Sequence, residues 1–254
     1  MKKIERWSLV CFSLLGFIAL LSSCTKEPAL EGAVSLTIVN ASTSSFIVNF
    51  NEQDTIIYAS GGAYQVVQKD NSLEYILKSD YQIVNAHEII STDPLDTWNE
   101  EAMLKVNFSM PSGAIASLFV LGAATDPDTL FVRDMPLHFQ IADSSMGIRF
   151  VNLSDAKTNI SINLAGQANG SEVGSLAFKG ITAFNAYPAD ASVQQYVFEF
   201  RDASSGDLLT TATINAPGST GATNSWRYRN FTLVFKGAPG SATTPPTAFI
   251  VKNY

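Results

Sequence analysis

The chain has 254 residues, of which 46% are hydrophobic and only 15% charged, a balance that permits a packed core and excludes wholesale disorder. Its length suits two domains of about 110 residues each. The net charge is −7, and three of the sixteen basic residues lie in the first six positions, so the rest of the chain is still more acidic. An acidic chain lacks the basic surface that tracks phosphates, and nucleic acid is therefore excluded as an expected partner.

The N-terminus has the pattern of a secretion signal. A basic segment, KKIER (2–6), precedes the apolar stretch LVCFSLLGFIALL (9–21), which is too short to span a bilayer comfortably. The stretch ends in LSSC (21–24), which resembles the bacterial lipobox. The resemblance implies cleavage before Cys24 and attachment of a diacylglycerol to its thiol. An ordinary secretory peptide with an unmodified cysteine is the alternative.

Lipidation of Cys24 would anchor the protein to a membrane, because each buried CH₂ of an acyl chain contributes about 0.8 kcal/mol. We therefore predict a lipoprotein signal peptide over 1–23, a tether over 24–32 and an outer-membrane lipoprotein on the periplasmic face or the cell surface. Cys11 and Cys24 are the only cysteines of the chain. The mature protein is thus predicted to have no disulfide, no thiolate nucleophile and no cysteine-ligated metal.

The rest of the chain consists of two halves that open on similar phrases, SLTIVN (35–40) and GIRFVN (147–152). Leu36 and Ile38 alternate with polar or smaller residues in the first phrase, as Ile148 and Phe150 do in the second. Such alternation is typical of a strand with one buried face. The strands that follow, FIVNF (46–50) and ISINL (160–164), alternate in the same way. The offset between the halves is about 112 residues at the start and about 115 at Gly122 and Gly237, so we predict a duplication. Chance agreement of short β-like strings is the alternative.

Turn signals recur between these strands, and the sequence contains no helical stretch long enough to cover a parallel sheet. The fold prediction is therefore all-β, with two tandem immunoglobulin-like β-sandwiches over residues 33–140 and 145–254.

The second half contains the segments IRFVNLSDAKTNISINLAG, LAFKGITAFNAYPA, VFEFRDASSGDLL and FTLVFKG. On these segments it resembles the DUF4397 family of secreted bacterial domains. Members are often lipoproteins of Bacteroidetes, and the resemblance implies a β-sandwich without supplying an activity. The first half keeps IVNAS but lacks a counterpart of the AYPA segment, so it resembles a more diverged copy.

Motifs that carry catalytic chemistry are missing from the sequence. His87 and His138 have no second ligand at metal-binding spacing, and each is predicted to be a satisfied or surface residue. The string GSEVG (170–174) places its serine too early for a nucleophile elbow. Glycine-rich phosphate loops are absent as well. We predict no catalytic residues, no metal and no cofactor.

Aromatic residues are the candidate ligand-binding groups, because ring faces stack on sugars while polar edges form hydrogen bonds. Trp98, Trp226 and Tyr228 are these candidates, and burial in a core is the alternative for each. The carboxylates of Asp126 and Asp128 are either a calcium site or the acids of a solvated proline turn.

The asparagines of the repeated phrase, Asn40 and Asn152, are predicted to end their strands with Asx or ST turns rather than to act on a substrate.

The predicted function is that of a non-enzymatic, membrane-anchored lipoprotein of the cell envelope, acting as a binding or adhesion module for a glycan or a surface protein. The alternatives are a structural accessory subunit of a surface complex and, third, a carbohydrate-active enzyme.

Overall fold

The computed structural model describes residues 32–54, 65–90, 100–140, 142–219 and 224–253, and within these ranges every regular element is a strand. Residues from Ala33 onward form one compact unit. No helix in the described ranges is long and apolar enough to cross a bilayer. The predicted signal peptide (1–23), Cys24 and most of the predicted tether lie outside the described residues, and the predicted domain boundaries stay predictions.

The first half of the unit, here the N-terminal sandwich, contains eight strands. They are β1 (Ala33–Asn40), β2 (Phe46–Asn49), β3 (Val66–Val67), β4 (Asn71–Lys78), β5 (Asp80–Glu88), β6 (Leu104–Met110), β7 (Ile115–Ala123) and β8 (Asp126–Arg133). The second half, the C-terminal sandwich, contains eight more. They are β9 (Ser145–Ser154), β10 (Ile160–Leu164), β11 (Val173–Leu176), β12 (Asn185–Pro188), β13 (Gln195–Asp202), β14 (Leu208–Asn215), β15 (Asn230–Gly237) and β16 (Thr247–Asn253).

Both halves have the same strand order. The N-terminal sandwich pairs a sheet β4-β1-β7-β8 with a sheet β3-β2-β5-β6, and the C-terminal sandwich pairs β12-β9-β15-β16 with β11-β10-β13-β14. Each strand therefore has a counterpart eight strands later. The first strand of each half lies parallel to the seventh, β1 to β7 and β9 to β15, whereas the other described pairs are antiparallel. The prediction of an all-β chain with two tandem β-sandwiches is confirmed.

Each sandwich has its own apolar core between its two sheets. The alternating residues of the opening strands face these cores as predicted, with Leu36 and Ile38 in the first half and Ile148 and Phe150 in the second. Aromatic rings fill much of the second core, where Phe150 meets Phe198 edge to face with ring centroids 5.3 Å apart. Such contacts add to the free energy gained by burying the apolar area.

A third apolar layer lies between the two sandwiches, so the prediction of one buried face for the opening strands is wrong. Val39 of β1 and Val151 of β9 point away from their own cores, yet both are fully buried. Phe119, Leu121, Leu153 and further residues of both halves complete this layer. The second face is buried because the sheets β4-β1-β7-β8 and β12-β9-β15-β16 cover one another.

Polar side chains also form hydrogen bonds and ion pairs across this interface. Arg149 of β9 is buried, with 3% of its side chain exposed, and its Nη1 donates to Asp134 Oδ1 of the N-terminal sandwich at 2.7 Å. Its Nε donates to Thr232 Oγ1 at 2.8 Å, and Nη2 lies 3.3 Å from Ser117 Oγ. The guanidinium also stacks on Phe184, 4.3 Å from the ring centroid. A buried charge with these partners is satisfied, as burial requires.

A second charge crosses the interface near its other end. Lys236 of β15 donates to the carbonyls of Ala41 and Ser42 at 3.2 and 3.1 Å and forms an ion pair with Asp70. Burial lowers the pKa of Lys236, although the neighbouring Asp70 carboxylate opposes the shift. The lysine thus fixes the loop between β1 and β2 against the C-terminal sandwich.

The asparagines of the repeated phrase have equivalent roles in the two halves. Asn40 and Asn152 are fully buried, and their side-chain amides donate to the carbonyls of Val67 and Leu176, both at 2.9 Å. These carbonyls belong to β3 and β11 in the opposite sheets. Each asparagine therefore joins the two sheets of its sandwich, which the sequence analysis did not predict.

The predicted Asx turns are present after both asparagines. The backbone N–H groups of Ser42 and Ser154 donate to the side-chain oxygens of Asn40 and Asn152, each at 3.0 Å. Strand β1 ends at Asn40 as predicted. The same prediction is wrong for Asn152, because β9 continues to Ser154, where it still lies beside Gly237 of β15.

Candidate functional site

Two of the three aromatic candidates, Trp226 and Tyr228, lie in the turn before β15. The Trp226 ring lies 4.7 Å from that of Phe231 and packs against the core of the C-terminal sandwich. Tyr228 lies two residues later with 39% of its surface exposed and a φ of 64°. Trp98 lies outside the described residues. Core packing accounts for Trp226, and the ligand-binding role of all three stays a prediction.

His87 is a satisfied residue, as predicted. It is fully buried, and its Nε2 lies 2.7 Å from Asp54 Oδ1. Asn49 and Lys105 bind the same carboxylate, each at 2.8 Å. Burial alone would raise the pKa of Asp54, but the hydrogen bonds from Lys105, Asn49 and His87 outweigh burial and lower it to about 2. The His87 ring is thus buried, whereas the Asp54 side chain keeps 16% of its surface exposed.

A cleft of about 450 Å³ opens between the two sandwiches, at the end where the loops of both halves meet. We call it the inter-sandwich cleft. Its lining comes from the β7–β8 hairpin, the loops β1–β2, β9–β10 and β15–β16, and the segment between β11 and β12. The lining residues are Thr43, Leu121, Gly122, Ala123, Asp126, Pro127, Asp128, Ser154, Asp155, Lys157, Phe178 and Thr244.

The packing between the sandwiches positions this cleft. Leu121 at its base belongs to the apolar layer between the halves, and Phe178 packs against that layer from the other side. Ser154 ends β9, and its Oγ lies 3.3 Å from the carbonyl of Gly237. The cleft therefore exists only because both sandwiches contribute to it.

Phe178 provides a half-buried aromatic ring with two ammonium groups nearby. The Nζ atoms of Lys157 and Lys179 lie 5.8 and 5.7 Å from its ring centroid, within the range of cation–π contacts. Because the ring is held by the apolar layer beneath it, its position is fixed without a ligand.

An ion pair joins the two sandwiches at this cleft. Lys179 donates to Asp128 Oδ1 at 2.6 Å. Partial burial tends to raise the pKa of Asp128, but hydrogen bonds from Lys179 and the Thr129 N–H, together with the charge of Lys157, lower it overall. Asp128 is therefore ionised at neutral pH, where it accepts hydrogen bonds and donates none.

The carboxylates of Asp126 and Asp128 belong to the first residues of β8, directly after the hairpin turn at 124–125. Asp126 pairs with Ala123 across the hairpin, and Asp128 is occupied by Lys179. Among the described residues, no group of three or more histidine, cysteine, aspartate or glutamate side chains is placed to hold a metal. The described residues likewise offer no set of metal ligands at the cleft.

The cleft combines an aromatic face with several acceptors and donors. Asp126 and Asp155 are exposed carboxylates at its edge, and Thr43 and Thr244 bring hydroxyl groups. With Asp128, Lys157 and Lys179, the local formal charge is three carboxylates against two ammonium groups, a net −1. Such a surface suits a ligand with apolar C–H faces and many hydroxyl groups, and it disfavours an anion.

Sequence reasoning did not identify Phe178, Lys157 or Asp155 as site residues. One signal was present, since Asp155 and Lys157 directly follow the repeated phrase RFVNLS (149–154). A loop that leaves two equivalent strands at the same end of a duplicated fold is a natural place for a site.

The chain matches no protein-family model and no curated protein, so the resemblance to DUF4397 stays a prediction. Several solved structures match the chain at low similarity. A streptococcal virulence factor that binds α-glucan is 9% identical with a TM-score of 0.26, and 81% of this chain and 93% of that chain are covered. A candidate cell adhesion protein from Bacteroides uniformis is 7% identical with a TM-score of 0.26, and the covered shares are 87% and 98%.

A third structure is a candidate polysaccharide-binding protein (DUF1812) from Bacteroides thetaiotaomicron. It is 11% identical with a TM-score of 0.23, and 88% of this chain and 99% of that chain are covered. Scores this low carry no functional argument, so the function proposed below rests on the cleft.

Proposed function

We propose that this protein is a non-enzymatic lipoprotein of the cell envelope that binds a neutral glycan in the inter-sandwich cleft. The observation that carries the proposal is the cleft itself, where Phe178 offers a fixed ring beside carboxylates, ammonium groups and hydroxyl groups. A sugar ring stacks its C–H face on an aromatic ring while its hydroxyl groups exchange hydrogen bonds with the polar rim.

The proposal also covers how the protein is anchored to the membrane and where it lies. A diacylglycerol on Cys24 would hold the two sandwiches on the outer membrane, facing the periplasm or the medium, with residues 24–32 as the tether. The supporting observation is the LSSC motif (21–24) at the end of an apolar stretch. Mass spectrometry of the N-terminal peptide tests this part, since an unmodified cysteine would contradict it.

The binding proposal is tested on a glycan array with the full-length chain in mild detergent, using neutral, acidic and amino-sugar glycans. We expect neutral glycans to score highest. Replacing Phe178 with alanine should weaken binding to the best of them at least tenfold, which corresponds to about 1.4 kcal/mol. The physical reason is the loss of the stacking surface.

Two further variants make this test specific. Phe178→Leu retains an apolar side chain above the layer between the sandwiches but removes the aromatic face, so it should also bind weakly, while its circular dichroism spectrum stays that of the wild type. Tyr228→Ala removes a candidate outside the cleft and should bind like the wild type. Unchanged affinity in a folded Phe178 variant, or no glycan bound above background, would refute the proposal.

A further inference from the structure

A second depression lies on the far side of the β7–β8 hairpin from the inter-sandwich cleft. Its volume is about 380 Å³, and it is open to solvent. Ala124 and Thr125 at the tip of the hairpin form one wall, and Glu88, Glu101 and Met103 contribute from the ends of β5 and β6. Nothing in the sequence predicted this depression.

The two depressions meet at one residue. Pro127, the second residue of β8, lines both of them. The connection between β7 and β8 is only two residues long, and its backbone is fixed by the pairing of Ala123 with Asp126.

We infer that the inter-sandwich cleft and the second depression are two parts of one groove, which binds an extended neutral oligosaccharide rather than a single sugar. The inference rests on the proposed function and adds the length and charge of the ligand. Both depressions are open, and a chain that enters and leaves needs an open groove, whereas a closed pocket of comparable volume suits one compact molecule.

The charge of the second depression further restricts the class of ligand. Of the seven described residues that line it, two are glutamates and none is basic. Glu88 accepts a hydrogen bond from Ser44 Oγ at 2.6 Å, so its carboxylate is held in place. Together with the net negative cleft, these carboxylates repel uronates and sulfated sugars, while they accept hydrogen bonds from sugar hydroxyl groups.

Met103 gives the second depression an apolar patch beside these acids. It packs against the core of the N-terminal sandwich and is half-buried, so it offers a fixed surface for a second sugar ring. Each end of the groove thus pairs an apolar surface with carboxylates, Phe178 at one end and Met103 at the other.

Chain length is the variable that tests the inference. The probes are glucose oligomers with α-1,4, β-1,4 or β-1,3 linkage and α-1,6-linked mannose oligomers, each from one to six units, titrated calorimetrically into the full-length protein. We expect affinity to rise at least tenfold between one and four units of a bound series. A polygalacturonate series should not bind.

The variant Ala124→Trp fills the second depression from the hairpin tip. We expect it to lose the gain with chain length and keep the affinity of the wild type for the shortest bound oligomer. Thr211→Trp is the matched control, because it adds the same side chain to an exposed position on β14, and it should keep the gain.

The outcomes separate the two proposals. Equal affinity for short and long oligomers, or a gain with length that survives in Ala124→Trp, overturns the extended groove and leaves the proposed function in place. Binding of polygalacturonate overturns the inference that the groove prefers a neutral oligosaccharide to an anionic one. No binding of any series, together with an empty neutral section of the glycan array, overturns both.

Discussion

Replacing Arg149 with alanine is expected to lower the free energy of unfolding by about 3 to 5 kcal/mol, the usual cost of removing one partner from a buried ion pair. The side chain of Asp134 is fully buried, and Arg149 Nη1 donates to its carboxylate at 2.7 Å. Without the guanidinium, this carboxylate would keep only the hydrogen bond from Ser117 Oγ, at 2.6 Å. A buried carboxylate with one neutral donor is poorly compensated.

The effect should be measured by urea unfolding, with the slope and the midpoint fitted separately. Arg133→Ala is the matched control, since Arg133 is exposed and its contact with the carbonyl of Ser109 is long, at 3.4 Å. It should change stability by no more than about 0.5 kcal/mol. If Arg149→Ala costs no more than Arg133→Ala, the polar network does not hold the two sandwiches together.

A second large loss is expected for Gly237→Ala, about 3 kcal/mol or more. Gly237 has a φ of +94°, and an added Cβ would lie 2.3 Å from the carbonyl oxygen of Pro245. The variant therefore combines backbone strain with a steric clash against backbone atoms. Gly122, its counterpart in the first half, has a φ of +85° and would place a Cβ 2.5 Å from the carbonyl oxygen of Asp126.

A substitution at Gly240 measures the cost of backbone strain without the cost of the steric clash. Gly240 lies in the β15–β16 loop, three residues after Gly237, with a φ of +74°, but a Cβ there would meet nothing within 4 Å. Gly240→Ala should therefore lose only the strain, about 1 to 2 kcal/mol. Thermal or urea unfolding of both variants measures the difference, and equal losses would show that the contact with Pro245 is unimportant.

The inward faces of the strands could be predicted from the sequence because a strand alternates with period two. Leu36 and Ile38 were identified as core residues on that pattern alone, and they face the core. The sequence did not predict what covers the opposite face of the same strand. Thr37 and Val39 suit an exposed face as well as a buried one, and only the packing of the second half against the first decides between them.

The burial of Arg149 could not be predicted from the strand pattern either, and here the pattern indicates the wrong side. A charged residue in an alternating strand normally indicates the solvent side. It is buried here because Asp134, fifteen positions earlier in the chain, Ser117 and Thr232 converge on it from three other segments. Such convergence depends on tertiary structure, and no spacing in the sequence encodes it.

The site was missed for the same reason. The DPD segment (126–128) was predicted as a turn, but the turn lies at 124–125 and the segment begins β8. Its position beside Phe178 results from the packing of two sandwiches. Aromatic candidates chosen by composition favoured Trp226, which lies beside Phe231 against a core. The duplicated fold was therefore visible in the sequence, whereas the cleft between its copies was not.

Hydrogen–deuterium exchange with and without the best-binding neutral oligosaccharide is the sharpest test of the inter-sandwich cleft as the binding site. We expect slower exchange in the β7–β8 hairpin (121–128), in residues 154–158 and around Phe178, with little change in the turn before β15 (224–229). Slower exchange confined to that turn, near Trp226 and Tyr228, or no protection on either side of the cleft, would contradict this expectation.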